Sequence, residues 1–285
     1  MTVRVICDSS QNVPETYLQQ LGIVECQASV IFGDDVYLNK EEISEADFYH
    51  RLASLPKGAS LPTTTQPSPG QFVDALRQVK AEGATSAILT AVSAKLSGTY
   101  NSAVQAAQLE KELPVTVWDT SGVSIGGGWQ TIRAAEMARS GAAHDEIIAA
   151  LPSIQNNIIT VFTVDTLKYL AASGRLTSAQ AMMGTLLSVK PMLMVDDGLL
   201  KPIGRERGRK RAKAALIETA RAQVGDRPVR VAIAHTNVWE EAHAFETDVR
   251  AAFHVQELLF IELGPVLAAL AGPGVMALGI LQETA

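Results

Sequence analysis

"SAILTAVSAKLSGTYNSA", Ser86 to Ala103, holds a strand, a turn and a helix start in one stretch. Ser86–Val92 is a short apolar run of strand length. Ser93, Ser97, Thr99 and Tyr100 follow, with Gly98 among them where backbone can approach a ligand, and a helical period begins behind them. A strand that passes through a hydroxyl-rich turn into a helix is half of a β-α-β unit. The same alternation recurs at "VRVIC" (Val3–Cys7), "PVTVWD" (Pro114–Asp119) and "IITVFTV" (Ile158–Val164), each separated from the next by amphipathic segments. It predicts parallel strands with helical crossovers, an α/β fold.

Two places interrupt the pattern. Gly33-Asp34 inside "ASVIFGDDVYL" reads as a β-hairpin embedded in the first domain, followed by a helix that Ser44 and Asp47 begin as a capping box. Asp197-Gly198 marks a second hairpin after a Met- and Leu-rich segment. At 285 residues the chain is near the size at which one core divides into two. The expectation is a first domain over 1–156 and a second over 157–285, each a mostly parallel sheet flanked by helices, with a ligand enclosed at the domain crevice.

A net charge of −6 does not suit a general nucleic-acid binder, and the two cysteines, Cys7 and Cys26, have no metal-ligand spacing. No apolar run reaches the length of a membrane span and no signal-peptide stretch opens the chain, so the expectation is a cytoplasmic protein with no integral membrane association. Dinucleotide and P-loop fingerprints are missing. Neither a cofactor nor a metal is expected.

Hydroxyls remain as the chemistry on offer. "LPTTTQPSPGQF", Leu61–Phe72, sets three threonines ahead of a helix expected to start near Ser68-Pro69, where unpaired N–H groups suit an anion. With the Ser93–Tyr100 turn, that makes two hydroxyl-rich turns at strand ends of an α/β sheet, the place where such folds bind ligands. N-capping explains either one alone; the two together point to a site. Asp8–Ser10 in "CDSS" reads as an Asx or Ser turn.

"GVSIG", Gly122–Gly126, matches the G-x-S-x-G elbow, with Asp165 or Asp196 and then His235 downstream. This is the alternative: a serine esterase or hydrolase using Ser124. Against it, "DTSG" separates Ser124 from its strand. The histidines have no metal spacing; His235 ends the strand "VRVAIAH", where a side chain can reach a domain crevice, and reads as a structural histidine ahead of a crevice residue. Arg205, Arg207, Arg209, Lys210, Arg211 and Lys213 form either a solvated helix face or a docking patch for an acidic or phosphate-bearing partner. Met182, Met183, Met192 and Met194 serve core packing or line a flexible apolar pocket.

In order along nearly the whole chain, "CDSSQNVP", "PTTTQPSPGQF", "LSGTYNSA", "FTVDTLKYLAASGRL", "SVKPMLMVDDG" and "AGPGVMALGI" resemble the signatures of the DegV family. The resemblance implies a two-domain bacterial protein with no active site of its own. Such a carrier encloses one long-chain fatty acid of palmitate, stearate or oleate type and presents the carboxylate to a separate fatty acid kinase catalytic subunit, which makes an acyl-phosphate for phospholipid synthesis. Position by position, it places the carboxylate on Thr64 and Ser97, with Thr65 and Ser93 beside them, Arg175 at the pocket rim, and Arg207 with Arg205 at the kinase-docking face. Where the family carries a histidine shortly before its closing G-P-G, this chain has Leu270. Burying such a tail, at about 0.8 kcal/mol per methylene, supplies on the order of 10 kcal/mol of gross transfer energy, so neutral hydroxyls suffice to orient the head group.

Overall fold

The computed structural model describes residues 2–176 and 188–283. In chain order the elements begin with β1 (Val3–Asp8), a 3-10 turn over Ser9–Gln11, α1 (Glu15–Leu21), β2 (Val24–Cys26), β3 (Ser29–Phe32) and β4 (Asp35–Leu38). They continue with α2 (Glu45–Ala53), β5 (Thr63–Thr65), α3 (Pro69–Ala81), β6 (Ser86–Ala91), α4 (Thr99–Leu109), β7 (Val115–Asp119), α5 (Ile125–Arg139) and α6 (His144–Asn156). After β8 (Ile158–Thr163) and α7 (Lys168–Ala172) come β9 (Val189–Asp196), β10 (Leu199–Arg207), α8 (Arg209–Val224) and β11 (Pro228–His235). The chain closes with α9 (Trp239–Ala252), β12 (His254–Glu262), α10 (Pro265–Ala271) and β13 (Met276–Gln282).

These elements form two compact units, Met1–Ser29 with Thr65–Asn157 and Val30–Thr64 with Ile158–Ala285. The hairpin at Gly33-Asp34 exists, joining β3 to β4, but its segment groups with the second unit rather than lying inside the first. The cause is tertiary: Asn39 Oδ1 accepts the Val266 amide at 3.1 Å, and a Cβ on Gly264 would meet that same Asn39 Oδ1 at 2.9 Å. Ser44 caps α2 by accepting from Asp47 N. The Asp47 carboxylate accepts from the Ser44 hydroxyl at 2.6 Å instead of reaching the backbone, so the box is half formed.

In the first unit the sheet runs β2-β1-β6-β7, parallel throughout as the alternation predicts. β6 is buried at every residue, as a central strand covered on both faces should be. Ile6, Leu89, Phe72, Leu76 and Val79 are core residues on the α3 side.

The second unit departs from the expected parallel sheet. Its order is β10-β9-β8-β13-β11-β12, and of the five pairings only β11 with β12 is parallel. Two things cause this. Asp197 and Gly198, at φ 49° and 71°, turn β9 straight back into β10. The last strand, β13, then inserts antiparallel between β8 and β11. The class stays α/β. Terminal strand β10 carries Pro202, a register break between Pro202 and Gly204, and exposed Lys201, Arg205 and Arg207. Met192 and Met194 pack into the core with Leu216, Ile233 and Phe245, which assigns them to packing, while Met182 and Met183 lie outside the described residues.

His235 ends β11 fully buried, its ring 5.5 Å from that of Trp239. Burial, reinforced by His243, lowers its pKa from 6.5 to about 4. An unfolded chain therefore takes up a proton between about pH 6.5 and 4 that the native state refuses, so stability falls as pH drops through that window. Urea midpoints at pH 7 and pH 4.5 should show a smaller acid loss in His235→Phe than in the wild type. Equal losses would remove His235 from the account.

Candidate functional site

In the first unit, β1 connects outward to β2 on one side, while β6 connects outward to β7 on the other. The carboxyl ends of β1 and β6 are therefore the point at which the winding reverses, where open α/β sheets leave a crevice for ligands. Asp8 stands at the end of β1 there, fully buried. Its Oδ1 accepts Ser10 N at 2.9 Å, the Asx turn expected from "CDSS", and its Oδ2 accepts Val92 N at 2.8 Å and Gln11 Nε2 at 3.2 Å. Burial raises the Asp8 pKa against the opposing pull of these bonds. Two amides that a phosphate would use at this point, Ser10 N and Val92 N, are thus already occupied.

Gln11 extends the network. Its Nε2 donates to the Thr90 carbonyl at 2.8 Å, its Oε1 accepts from the Thr131 hydroxyl, and Thr131 and Thr90 share a bond of 2.7 Å. Gly127 and Gly128 of "GGG" let α5 press onto this floor, since a Cβ on Gly128 would lie 2.7 Å from the Gln11 carbonyl oxygen.

The turn from β6 to α4 sits on the network. Ser93 is fully buried; its carbonyl accepts Leu96 N and Ser97 N, and its hydroxyl accepts Lys95 N at 3.2 Å. Ser93 builds the turn. Ser97 is half-buried, accepts Thr99 N at 3.3 Å and shares a bond of 2.9 Å with the Thr99 hydroxyl. If Thr99 donates, the Ser97 proton is left for an outside acceptor. Gly98, the N-cap of α4, contributes no side chain.

The threonine row is not at the mouth of a helix. Thr63–Thr65 is strand β5, in a three-stranded sheet of order β4-β3-β5. Ser68 and Gln71 close the α3 terminus reciprocally, so the Ser68 and Gln71 amides expected to face an anion are taken by a capping box. Thr64 is half-buried, Thr65 is exposed, and neither hydroxyl has a hydrogen-bond partner among the described residues. The next residue links the two hydroxyl runs. The Gln66 carboxamide lies over Gly98, where a Cβ would come 2.7 Å from its Nε2. Sequence reading missed Gln66, although its place directly after the threonines was a usable signal.

Ser124 opens α5 at φ 52°, ψ −147°, a conformation non-glycine residues seldom adopt. The backbone does resemble a nucleophile elbow. The hydroxyl is sealed from solvent, however, and has no hydrogen-bond partner among the described residues, so no base is poised on it.

In the second unit, Arg175 donates to the Ser173 carbonyl of its own turn at 2.8 Å. The basic run divides. Arg209 binds Asp165 and Glu241 as well as the Gly274 carbonyl, and Lys213 also pairs with Glu241. Arg205 and Arg207 are exposed on β10, not on a helix face, and have no partner among the described residues. Leu270 is half-buried near the end of α10, just before the Gly272–Gly274 turn. Thr236 grips that turn, donating to the Gly272 carbonyl and accepting Val275 N, each at 2.8 Å.

The family model described as "Uncharacterised protein, DegV family" matches residues 2–283. A DegV domain-containing protein of Deinococcus radiodurans is 35% identical over 284 residues, 99% of each chain. One of Halalkalibacterium halodurans is 31% identical over 278 residues, 97% of each chain. Among solved structures, a DegV family protein from Thermus thermophilus, described for its fatty acid binding, aligns with a TM-score of 0.92 at 32% identity, over 99% of this chain and 100% of that one. DegV of Bacillus subtilis, described as a fatty acid binding protein, aligns at 0.88 with 29% identity, over 99% and 100%.

Proposed function

As this chain belongs to the DegV family, we propose that it binds one long-chain fatty acid, with Thr64 and Ser97 as the carboxylate donors and Thr65 beside them. Ser93 stands behind as the residue that shapes the turn. One observation carries the reading: a half-buried hydroxyl at Thr64 without a partner among the described residues, and one at Ser97 whose proton is left to give when Thr99 donates to it. Two solved relatives described as fatty acid binding support it. In this reading the tail supplies the affinity and the hydroxyls supply the orientation.

Neutral donors leave the carboxylate nucleophilic, whereas an arginine fork would hold it more tightly and compete for its oxygens. That suits handing the bound acid to a fatty acid kinase in the cytoplasm, where acyl-phosphate formation would feed phospholipid synthesis. Arg205 and Arg207, exposed and without a partner among the described residues, are the docking residues of this reading, with Arg175 at the pocket rim. The hydrolase alternative has the Ser124 backbone in its favour and the sealed hydroxyl against it.

Native mass spectrometry of the purified protein should find one acyl chain per chain of protein, released on denaturation. A protein that arrives empty and also refuses palmitate and oleate would end the proposal. Gly98→Ala offers a finer check. The new methyl displaces the flexible end of Gln66, which costs little stability, yet it disturbs the contact joining the two hydroxyl runs. Palmitate should bind about tenfold more weakly with the melting temperature nearly unchanged. Unaltered affinity would show that Gln66 is a bystander.

A further inference from the structure

We infer that Asp8 is the positioning residue of the head-group site: its buried carboxylate pins the β6–α4 turn and so sets where Ser97 points. The inference rests on the fatty-acid reading for its ligand but on geometry for its mechanism. A buried carboxylate usually has a cation beside it, because desolvating an unpaired charge is expensive. Among the described residues no basic side chain bonds to Asp8. It is held by neutral donors alone, namely Ser10 N, Val92 N and Gln11 Nε2. A residue kept at that cost, with every bond spent on chain segments around the winding reversal, is doing something the core does not require.

The bond to Val92 spans 84 positions of sequence and crosses from the end of β1 to the first residue past β6. Val92 precedes Ser93, whose carbonyl and hydroxyl organise the turn as far as Ser97. The Gln11, Thr90 and Thr131 bonds brace the same carboxylate from beneath. The turn is thereby held on its Asp8 side, while Ser93 N donates to the Gly122 carbonyl at 2.9 Å on the other. Asparagine is nearly isosteric but must aim one N–H₂ at donors. It would lose either the Val92 bond or the Ser10 bond.

The experiment pairs amide hydrogen exchange with two ligands, palmitate and hexadecanol, which share a tail and differ in the head. In the wild type the Val92 amide should exchange only on global unfolding, and in Asp8→Ala, which loses both bonds where asparagine could keep one, the Val92–Ser97 stretch should exchange at least tenfold faster while β7 keeps its protection. Palmitate affinity should fall about tenfold in Asp8→Ala and hexadecanol affinity should stay within about twofold. A general packing defect would weaken both ligands alike, and that result overturns the proposal, as does an unprotected Val92 amide in the wild type, an arm that needs no folded variant. If the wild type binds no palmitate, the fatty-acid reading fails, while the exchange data still decide whether Asp8 holds the turn.

Discussion

Gly272→Ala should cost on the order of 3 kcal/mol of unfolding free energy, read as a lowered urea midpoint at unchanged slope. Two independent terms add. Gly272 sits at φ 79°, ψ 177°, a region that side-chain-bearing residues rarely enter, which costs roughly 1–3 kcal/mol. Its Cβ would also run into Cδ2 and Cε2 of Tyr169, far inside van der Waals contact. The backbone cannot yield easily, because Gly272 N donates to the Ala268 carbonyl at 2.8 Å and its own carbonyl accepts from Thr236. Tyr169 has to leave. Repeating the substitution in a Tyr169→Ala background should recover the steric share and retain the backbone share. A variant as stable as the wild type would contradict both terms.

The second large effect is on ligand binding. Thr64→Ala and Ser97→Ala should each weaken palmitate by about 1–3 kcal/mol, and the double variant should lose about 2–6 kcal/mol, at least roughly thirtyfold, if the two add. Hexadecanol should lose much less, because a hydroxyl head can be satisfied by one partner where a carboxylate seeks several. Affinity should also vary little with ionic strength, since the donors to the head group are neutral hydroxyls and the Asp8 carboxylate behind them is buried, where salt screens little. Isothermal titration of the four proteins with both ligands decides the matter. Unchanged palmitate affinity in both single variants would assign the head group to other residues.

What could be read from the sequence was local. Gly33-Asp34 and Asp197-Gly198 specify hairpins within a few residues, and both turns form, although the segment of the first groups with the second unit. The strand-turn-helix signature at Ser86–Ala103 also held, because burial on both faces of β6 demands the continuous apolar run that announces it. Pairing between distant strands was not readable: nothing in "VMALGILQ" says that it will slot antiparallel between β8 and β11. The threonine row was misplaced for a related reason. A serine and a glutamine three residues later already claimed the α3 terminus, so the threonines were free to pair with β3. Asp8 was legible as a local turn, but its reach to Val92 is a property of the sheet. Two of the six basic residues, Arg209 and Lys213, proved to be internal ionic bracing, since only the fold brings Asp165 and Glu241 to them.

The rim strand β10 has a bearing on how molecules of this protein meet one another and anything else. Proline at 202 removes a donor from the exposed ladder, the break before Gly204 bends the strand, and like-charged guanidinium groups at 205 and 207 repel a second copy of themselves. Zipping of one sheet onto a neighbour's is therefore blocked at this border, and with it a common first step toward fibrous aggregates. Any protein that settles here has to recognise side chains rather than continue the sheet. Charge reversal at Arg205 or Arg207 can then abolish recognition without disturbing the architecture underneath.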